Sequence, residues 1–555
     1  MGTYLNPGNS GFERIMNSGY VDKTGLIGLL NRTIDTTKNL TCISRPRRFG
    51  KSYAAQMLCA YYDKTCDSHE LFDGLAISGD ESYKKHLNKY DIIYIDMTNF
   101  VSAAKNSGRL PEMVPEELNK AVLKEVVLEY PELSGAYDLT DALLQMVNIT
   151  GSRIIFIIDE WDALIREAQH DEETQKRFLN LLRAWFKNGN FTPKAVAAAY
   201  MTGILPIKKD GSQSAISDFR EYSVLEPLEF AEYVGFTEEE VRQQCEQHQG
   251  NFEKMKHWYD GYTAGDQHSI YNPYSVMQAL GSNKYKSYWK KTSAAETLMT
   301  YIDMDQDGLQ DDIARLIAGE SIVVDPDSFQ NDVETFTCKD DVLTLLIHLG
   351  YLTYEEVNDS YGDGEDELLT GLARIPNEEV RSEFEKILRK AKHTSLIELV
   401  KRSDQLLKDT IAGNSEAVAK AIQDVHESDA LACRGTVQWT VSSQYAPTWY
   451  NNEQALRYVV KMAYISSVDQ YGKVEELPTG HGIADVVFVP KRRSSLPAMI
   501  VELKWDKSAE GAIRQIREKN YPKVLSQFTG DILLVGMNYD ERTKEHTCRI
   551  EKLGR

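Results

Sequence analysis

Two apolar runs, each ending in polar chemistry, constrain this chain more than anything else in it. The first is the run from Thr41 to Ser52 (TCISRPRRFGKS), which reads as a buried strand turning into a helix through a Gly-Lys-Ser corner. Such a corner gathers backbone N–H groups, an ammonium and a hydroxyl at one point, the arrangement that cradles nucleotide phosphates and their Mg²⁺. Gly50, Lys51 and Ser52 fill the last three positions of G-x-x-x-x-G-K-[ST], while Arg45 stands where the first glycine belongs. The second run, Arg153 to Glu160 (RIIFIIDE), is apolar without alternation and ends in two acids. Unbroken apolar residues mark a strand covered on both faces, as in a parallel sheet under helices. Acids at the carboxyl end of such a strand stand where ligands bind in open α/β sheets.

Together the two runs predict an ATP site. Lys51 and Ser52 would face phosphates and Mg²⁺, Asp159 would hold Mg²⁺ through water, and Glu160 would polarise the water attacking the γ-phosphate. Arg47, Arg48 and Phe49 complete the loop, with the two arginines bracing the phosphates or the sheet edge. The competing reading of Asp159 and Glu160 is a pair capping a following helix. Further strands are expected at Ile92–Asp96 and Ala195–Thr202. A strand inserted between the Lys strand and the Asp-Glu strand suits the additional-strand class of P-loop ATPases. Thr202 then reads either as a γ-phosphate sensor or as a turn residue before Gly203. Arg220, beyond that strand, is the candidate arginine finger for hydrolysis between subunits.

Composition narrows the class. With 555 residues, 42% hydrophobic and 26% charged, the chain is of ordinary soluble, multidomain type. No stretch approaches the roughly 18 apolar residues that cross a bilayer. The start has no basic segment followed by an apolar core, and seven scattered cysteines fit reduced thiols, so a cytoplasmic location is expected. A net charge of −21 argues against non-specific nucleic-acid binding by the whole surface. Residues 441–555, however, hold 17 Lys and Arg against 14 Asp and Glu, a net of +3, which leaves −24 for the rest. The last segment is thus the one suited to approach phosphate backbones.

Three domains are expected, at 1–230, 231–440 and 441–555. In the middle, Thr237-x-x-Glu240 is a helix-opening capping box. A buried helix is expected over Asp340–Tyr354, ending near Gly350, with strands near 352–357 and 369–375. A helix followed by such a hairpin resembles a winged helix, whose acidic wing favours a packing role over DNA binding. The Asp303–Gly308 segment begins like a calcium loop, but Ala314 stands where its bidentate Glu is required.

The last segment carries a second constellation. Asp485 lies in one expected strand, and Glu502 and Lys504 lie in the next. Residues two apart on a strand share a face, so Glu502 and Lys504 project together and Asp485 can join them. Two carboxylates and a Lys form a Mg²⁺ site of the kind phosphodiester hydrolysis uses, with Mn²⁺ as a substitute. A same-face ion pair is the plainer alternative, but an acid inside an apolar strand is costly without a partner. Glu453, near the first turn of a helix, is a candidate third carboxylate. His481 reads as a loop residue, and Gln515 and Tyr521 as contacts to a phosphate backbone or as packing.

Tyr20–Thr24, the Ser44–Ser52 loop, Ile158–Glu160, Trp258–Tyr262, Tyr271–Tyr274 and Ile375–Arg381 resemble the bacterial AAA-ATPase-like proteins fused to a PD-(D/E)XK nuclease-like domain. In that family Arg45 in place of the first glycine is usual. The resemblance implies an α/β chain: an AAA-like P-loop ATPase, a helical and winged-helix-like middle, and a restriction-endonuclease-like end. It carries over Lys51, Ser52, Asp159 and Glu160 for ATP, and Asp485, Glu502, Lys504, Gln515 and Tyr521 for the nuclease-like part. The expectation is ATP hydrolysis coupled to Mg²⁺-dependent cutting of nucleic acid, DNA before RNA, with assembly into a homo-oligomer through the ATPase domain. Genome defence and DNA processing are the settings it suggests. The alternative is a switch ATPase whose last domain binds nucleic acid or protein without cutting.

Overall fold

The computed structural model of the chain describes residues 2–168, 171–207, 216–265, 267–289, 309–327, 329, 336, 338–356, 371–390, 394–424, 460, 464, 471–478, 483–490, 496–519, 525, 528 and 530–553. They pack as two units, Met1–Leu309 with Ser321–Glu383 and Gln310–Glu320 with Phe384–Arg555. The breaks expected near 230 and 440 differ from this division. The middle region is shared between the two units rather than standing alone.

The first unit is built on strands β1 (Leu40–Ser44), β2 (Asp91–Asp96), β3 (Ile154–Asp159), β4 (Val196–Gly203) and β5 (Arg220–Tyr222), in the order β2-β3-β4-β1-β5. Every pairing is parallel. Strands β1, β3 and β4 are buried at every position, as unbroken apolar runs require when helices cover both faces. The strand inserted between the Lys strand and the Asp-Glu strand is β4, which carries Thr202. Strand β2 lies at the sheet's edge and is covered there by the first residues, through Tyr94 N–H to Tyr4 O at 2.8 Å. Phe156, Trp185, Phe186, Leu143 and Met146 belong to one large apolar cluster of this region. The Lys51–Tyr62 helix follows β1 and is buried on nearly all sides.

The expected middle elements form with small shifts. Thr237 and Glu240 make both hydrogen bonds of the capping box that opens the Glu238–Gln247 helix, worth about 1 kcal/mol. Strands β6 (Tyr262–Ala264) and β7 (Gln267–Ile270) pair as a short hairpin. The buried helix runs Lys339–Leu349 and stops at Gly350, whose φ of 83° is the left-handed conformation that glycine adopts without penalty. Strands β8 (Ile322–Val324), β9 (Thr353–Glu356) and β10 (Gly371–Arg374) form an antiparallel sheet in the order β8-β10-β9. The helix and hairpin are those expected. Strand β8 was not foreseen, because three residues with one exposed give no readable alternation. The acidic wing and the calcium-like 303–308 segment lie outside the described residues.

The second unit contains strands β11 (Tyr471–Pro478), β12 (Ile483–Pro490), β13 (Ala498–Trp505), β14 (Ile532–Asp540) and β15 (Glu545–Leu553), paired in sequence order. Only β13 and β14 run parallel. The Ala509–Glu518 helix makes the crossover between them, as a parallel pair demands. It lies very close to the sheet, since a Cβ on Gly536 would come within 2.4 Å of Ala509 O. Among the described residues no helix is long and apolar enough to cross a membrane.

Candidate functional site

The phosphate-loop corner takes its shape from two residues. Gly50 adopts φ 92°, and a Cβ there would meet nothing, so the demand for glycine is one of backbone conformation. Arg45, in the place of the missing glycine, is 3% exposed and turns into the protein. Its guanidinium donates to the carbonyls of Ser44 at 3.0 Å and Tyr222 at 3.1 Å and to that of Ser223. Burial pulls its pKa down to about 10, so it remains charged at neutral pH. Arg45 therefore ties β1 to the segment after β5 and leaves the loop's interior to the backbone.

Lys51 is buried and folds over the loop, donating to the carbonyls of Arg45 at 3.0 Å and Pro46 at 2.9 Å. Its ammonium also lies 3.3 Å from Glu160 Oε1. The register brings this about. Strands β3 and β4 are neighbours and so are β4 and β1, and Ser44 pairs with Gly203, so the three carboxyl ends line up. Asp159 is 3% exposed; burial pushes its pKa up, and the Ser52 and Thr202 hydroxyls partly offset that. The Thr202 hydroxyl donates to Asp159 Oδ1, and its oxygen accepts from Glu160 N–H at 3.2 Å. Thr202 is thus tied to both acids. The helix-capping alternative fails, because Asp162 rather than either acid stands at the start of the Ala163–Glu167 helix.

Glu160 adopts φ 53°, a left-handed conformation that costs a non-glycine residue on the order of 1–3 kcal/mol. Burial raises its pKa, but Lys51 and Arg166 outweigh that and hold it below the ordinary carboxylate value. Arg47 lines the same cleft as Glu160 and Arg166. Arg48 and Phe49 do not direct their side chains to this point. Arg48 donates to Tyr288 O at 2.8 Å and lies over the Tyr274 ring, while Phe49 packs edge-on against Tyr262. Only their backbone amides remain for a phosphate.

The aromatic motifs thereby find a physical role as the brace behind the loop. Asn272 caps the Pro273–Ser282 helix and donates to Arg47 O at 3.4 Å. Asn377 donates to Tyr259 O at 3.2 Å, and Glu379 accepts from Ser275 and from Tyr288 N–H. Arg220 begins β5 opposite Thr41, at the amino end of the sheet, and pairs loosely with Glu229 at 3.8 Å. It does not join its own chain's phosphate loop.

In the second unit the antiparallel register pairs Val486 with Val501, which brings Asp485 and Glu502, the next residue on each strand, to the same end of the paired stretch. Neighbouring donors satisfy both carboxylates. Leu503 N–H donates to Asp485 Oδ2 at 2.8 Å, Lys504 Nζ lies 2.8 Å from Glu502 Oε1, and Gln515 donates to the same oxygen. Asp485, Glu502 and Lys504 are all buried. Close seating of the helix on Gly536 is what lets Gln515 reach the strand. Glu453, Tyr521 and His481 lie outside the described residues. Among those described, no group of three His, Cys, Asp or Glu side chains is gathered to hold a metal.

Sequence reasoning passed over Asp162 and Arg166. Their i, i+4 spacing directly after the Asp-Glu pair was the available signal. Arg166 binds Asp162 at 2.9 Å and Glu160 Oε2 at 2.5 Å.

No curated protein matches the chain. Among solved structures it is similar to the Aeropyrum Pernix ORC2 protein in ADPNP-ADP complexes, at 12% identity and a TM-score of 0.26, over 66% of this chain and 93% of that one. That likeness is too low to assign a fold. Residues 7–212, which contain the phosphate loop, the Asp-Glu strand and Thr202, match the family AAA-ATPase_like, described as a predicted AAA-ATPase.

Proposed function

We propose that the first unit binds and hydrolyses ATP, and that the second cuts nucleic-acid phosphodiesters in a Mg²⁺-dependent reaction gated by the first. The observation that carries the ATPase reading is Lys51, at the head of a helix behind a left-handed glycine, 3.3 Å from an acid just past a buried strand two places away in the sheet. Ser52 and Asp159 offer a hydroxyl and a buried carboxylate for Mg²⁺, a donor set that suits a hard cation. Bound there, the ion would neutralise charge on the phosphates. Lys51 would exchange loop carbonyls and Glu160 for phosphate oxygens, Thr202 would hold Asp159 in place, and Glu160 would orient water. Arg47 would add positive charge on the same flank. Assembly through this unit, with Arg220 of a second copy reaching the site, belongs to the same proposal.

For the second unit, support comes from Asp485, Glu502, Lys504 and Gln515 meeting on one sheet face. Asp485 and Glu502 would hold Mg²⁺ or Mn²⁺, which supplies Lewis-acid activation of phosphate and water. Lys504 would orient a water or neutralise the phosphate, and Gln515 would steer Glu502. The positive balance of residues 441–555 supports a nucleic-acid substrate, for which DNA is proposed before RNA.

One observation favours the switch-ATPase reading. Glu502 is already paired with Lys504 at 2.8 Å. Cleavage of labelled linear, circular and single-stranded DNA and of RNA separates the two. The assay uses Mg²⁺ or Mn²⁺, with and without ATP, for wild type, Lys51→Ala and Lys504→Ala. Cutting that needs Lys504 and responds to ATP through Lys51 is the expected result. ATP turnover without cutting of any substrate would replace it with the switch reading.

A further inference from the structure

Glu160 has a cation on each carboxylate oxygen: Lys51 at 3.3 Å from Oε1 and Arg166 at 2.5 Å from Oε2. The two cations differ in what else they can do. Lys51 is the one a triphosphate draws away, since a P-loop lysine serves the β- and γ-phosphates. Arg166 is fixed. Its Nε lies 2.9 Å from Asp162 Oδ2 and its Nη2 3.4 Å from Oδ1. Asp162 is fully buried and accepts from the backbone N–H groups of Ile204 at 3.2 Å and Leu205 at 2.9 Å, just beyond Thr202. A continuous chain of hydrogen bonds therefore runs from the turn after β4, through Asp162 and Arg166, to the carboxylate of Glu160.

Beside these groups lies an open cleft of about 420 Å³, lined by Arg47, Thr98, Ser102, Lys105, Glu160 and Arg166 among others. Lys105 is paired there with Glu167 at 2.7 Å. The charged groups acting on Glu160 are Lys51 from the loop helix, Arg47 from the loop, Arg166 from the helix after β3, Asp159 beside it and Asp96 at the end of β2. Once Lys51 turns to phosphate, Arg166 is the cation that stays in contact with the Glu160 carboxylate.

We propose that Arg166 is a positioning residue for ATP hydrolysis: anchored by Asp162, it holds the Glu160 carboxylate aimed while Lys51 is engaged on the phosphates. The proposal rests on the ATPase reading. Its test is steady-state ATP turnover by the full chain with Mg²⁺, read as kcat and KM, for wild type, Lys51→Ala, Arg166→Ala, Arg166→Gln, Arg166→Lys, Glu160→Gln and Glu160→Gln/Arg166→Gln.

Loss of Arg166 should lower kcat about 10- to 100-fold with KM moved less than about threefold, because misaiming the water-orienting group costs rate rather than binding. Arg166→Lys, which keeps a charged donor, should restore part of kcat. With Glu160→Gln already in place, removing Arg166 should cost nothing more. Arg166→Gln, which keeps a donor for Asp162 without charge, carries the same expectation should the alanine variant fail to fold. A rise in KM at unchanged kcat, no rescue by lysine, or a full further loss in the Glu160→Gln background would overturn the proposal. Wild type lacking any turnover that Lys51→Ala removes would overturn the ATPase reading with it.

Discussion

Arg45 shows how one side chain changes a motif without abolishing it. A glycine at this place lets the chain turn; here a buried guanidinium collects three backbone carbonyls instead. Carbonyls stranded away from water cost about 1–3 kcal/mol each. Arg45→Met, similar in length but without donors, should therefore destabilise the first unit by roughly 2–4 kcal/mol, read as a lower midpoint in urea. A midpoint within error of wild type would show that the carbonyls find other partners. The sequence placed Gly50 at the corner of the loop, and there it adopts a φ of 92°. The direction taken by Arg45 was not, because a basic residue in a loop reads as exposed until the strand that covers it is placed. Arg48 and Phe49 illustrate the same limit. Their position next to Gly50 suggested phosphate, and packing sends their side chains to Tyr274, Tyr288 and Tyr262.

At the scale of elements, the segment from Ile375 to Arg381 is joined to the Pro273–Ser282 helix through one buried acid. Glu379 accepts from the Ser275 hydroxyl at 3.0 Å and from Tyr288 N–H at 2.7 Å. Burial pushes its pKa up to about 7, against a lowering by those donors, from an ordinary value of 4.5. The fold thus prefers its protonated form. That contribution is fully present below the unfolded pKa and is lost as pH rises through the folded one, on the order of 3 kcal/mol in all. Glu379→Gln, which cannot ionise, should weaken the fall in melting temperature between about pH 5 and pH 8. An equally steep fall in the variant would assign the pH dependence elsewhere. Elements with strong local signals formed where the sequence put them: the Thr237–Glu240 capping box, the helix ending at Gly350, and the runs of β1, β3 and β4. The three-residue strands β5 and β8 carried no such signal, since each exists only through its neighbour's hydrogen bonds.

The whole molecule divides into two units, each with a chemistry-bearing sheet of its own. A chain built this way should not unfold as one cooperative block. Calorimetry is expected to show two transitions, and Mg²⁺ with ATP should raise only one of them. At 100 times the dissociation constant the gain is about 2.7 kcal/mol, through preferential binding to the folded unit. Lys51→Ala should remove that shift and leave the other transition in place. A single transition, or a shift of both, would mean that the units fold as one body.

What the sequence by itself determined are the features carried by local chemistry and period: the phosphate loop, the two acids after an apolar run, and a Glu and Lys sharing a strand face. These need only the turn propensity of glycine, the alternation of a strand and the cost of an acid among apolar neighbours. Tertiary structure alone decided which residues surround those groups. Strand order set β4 and its Thr202 between Lys51 and Glu160, register brought Asp485 and Glu502 to the same end of their paired strands, and a helix seated on Gly536 delivered Gln515. It also placed Arg166 on Glu160 and Arg45 on three carbonyls. Such contacts join residues distant along the chain, or depend on how a helix is aimed, so they arise only when hydrogen bonding between strands and close packing fix every element against its neighbours.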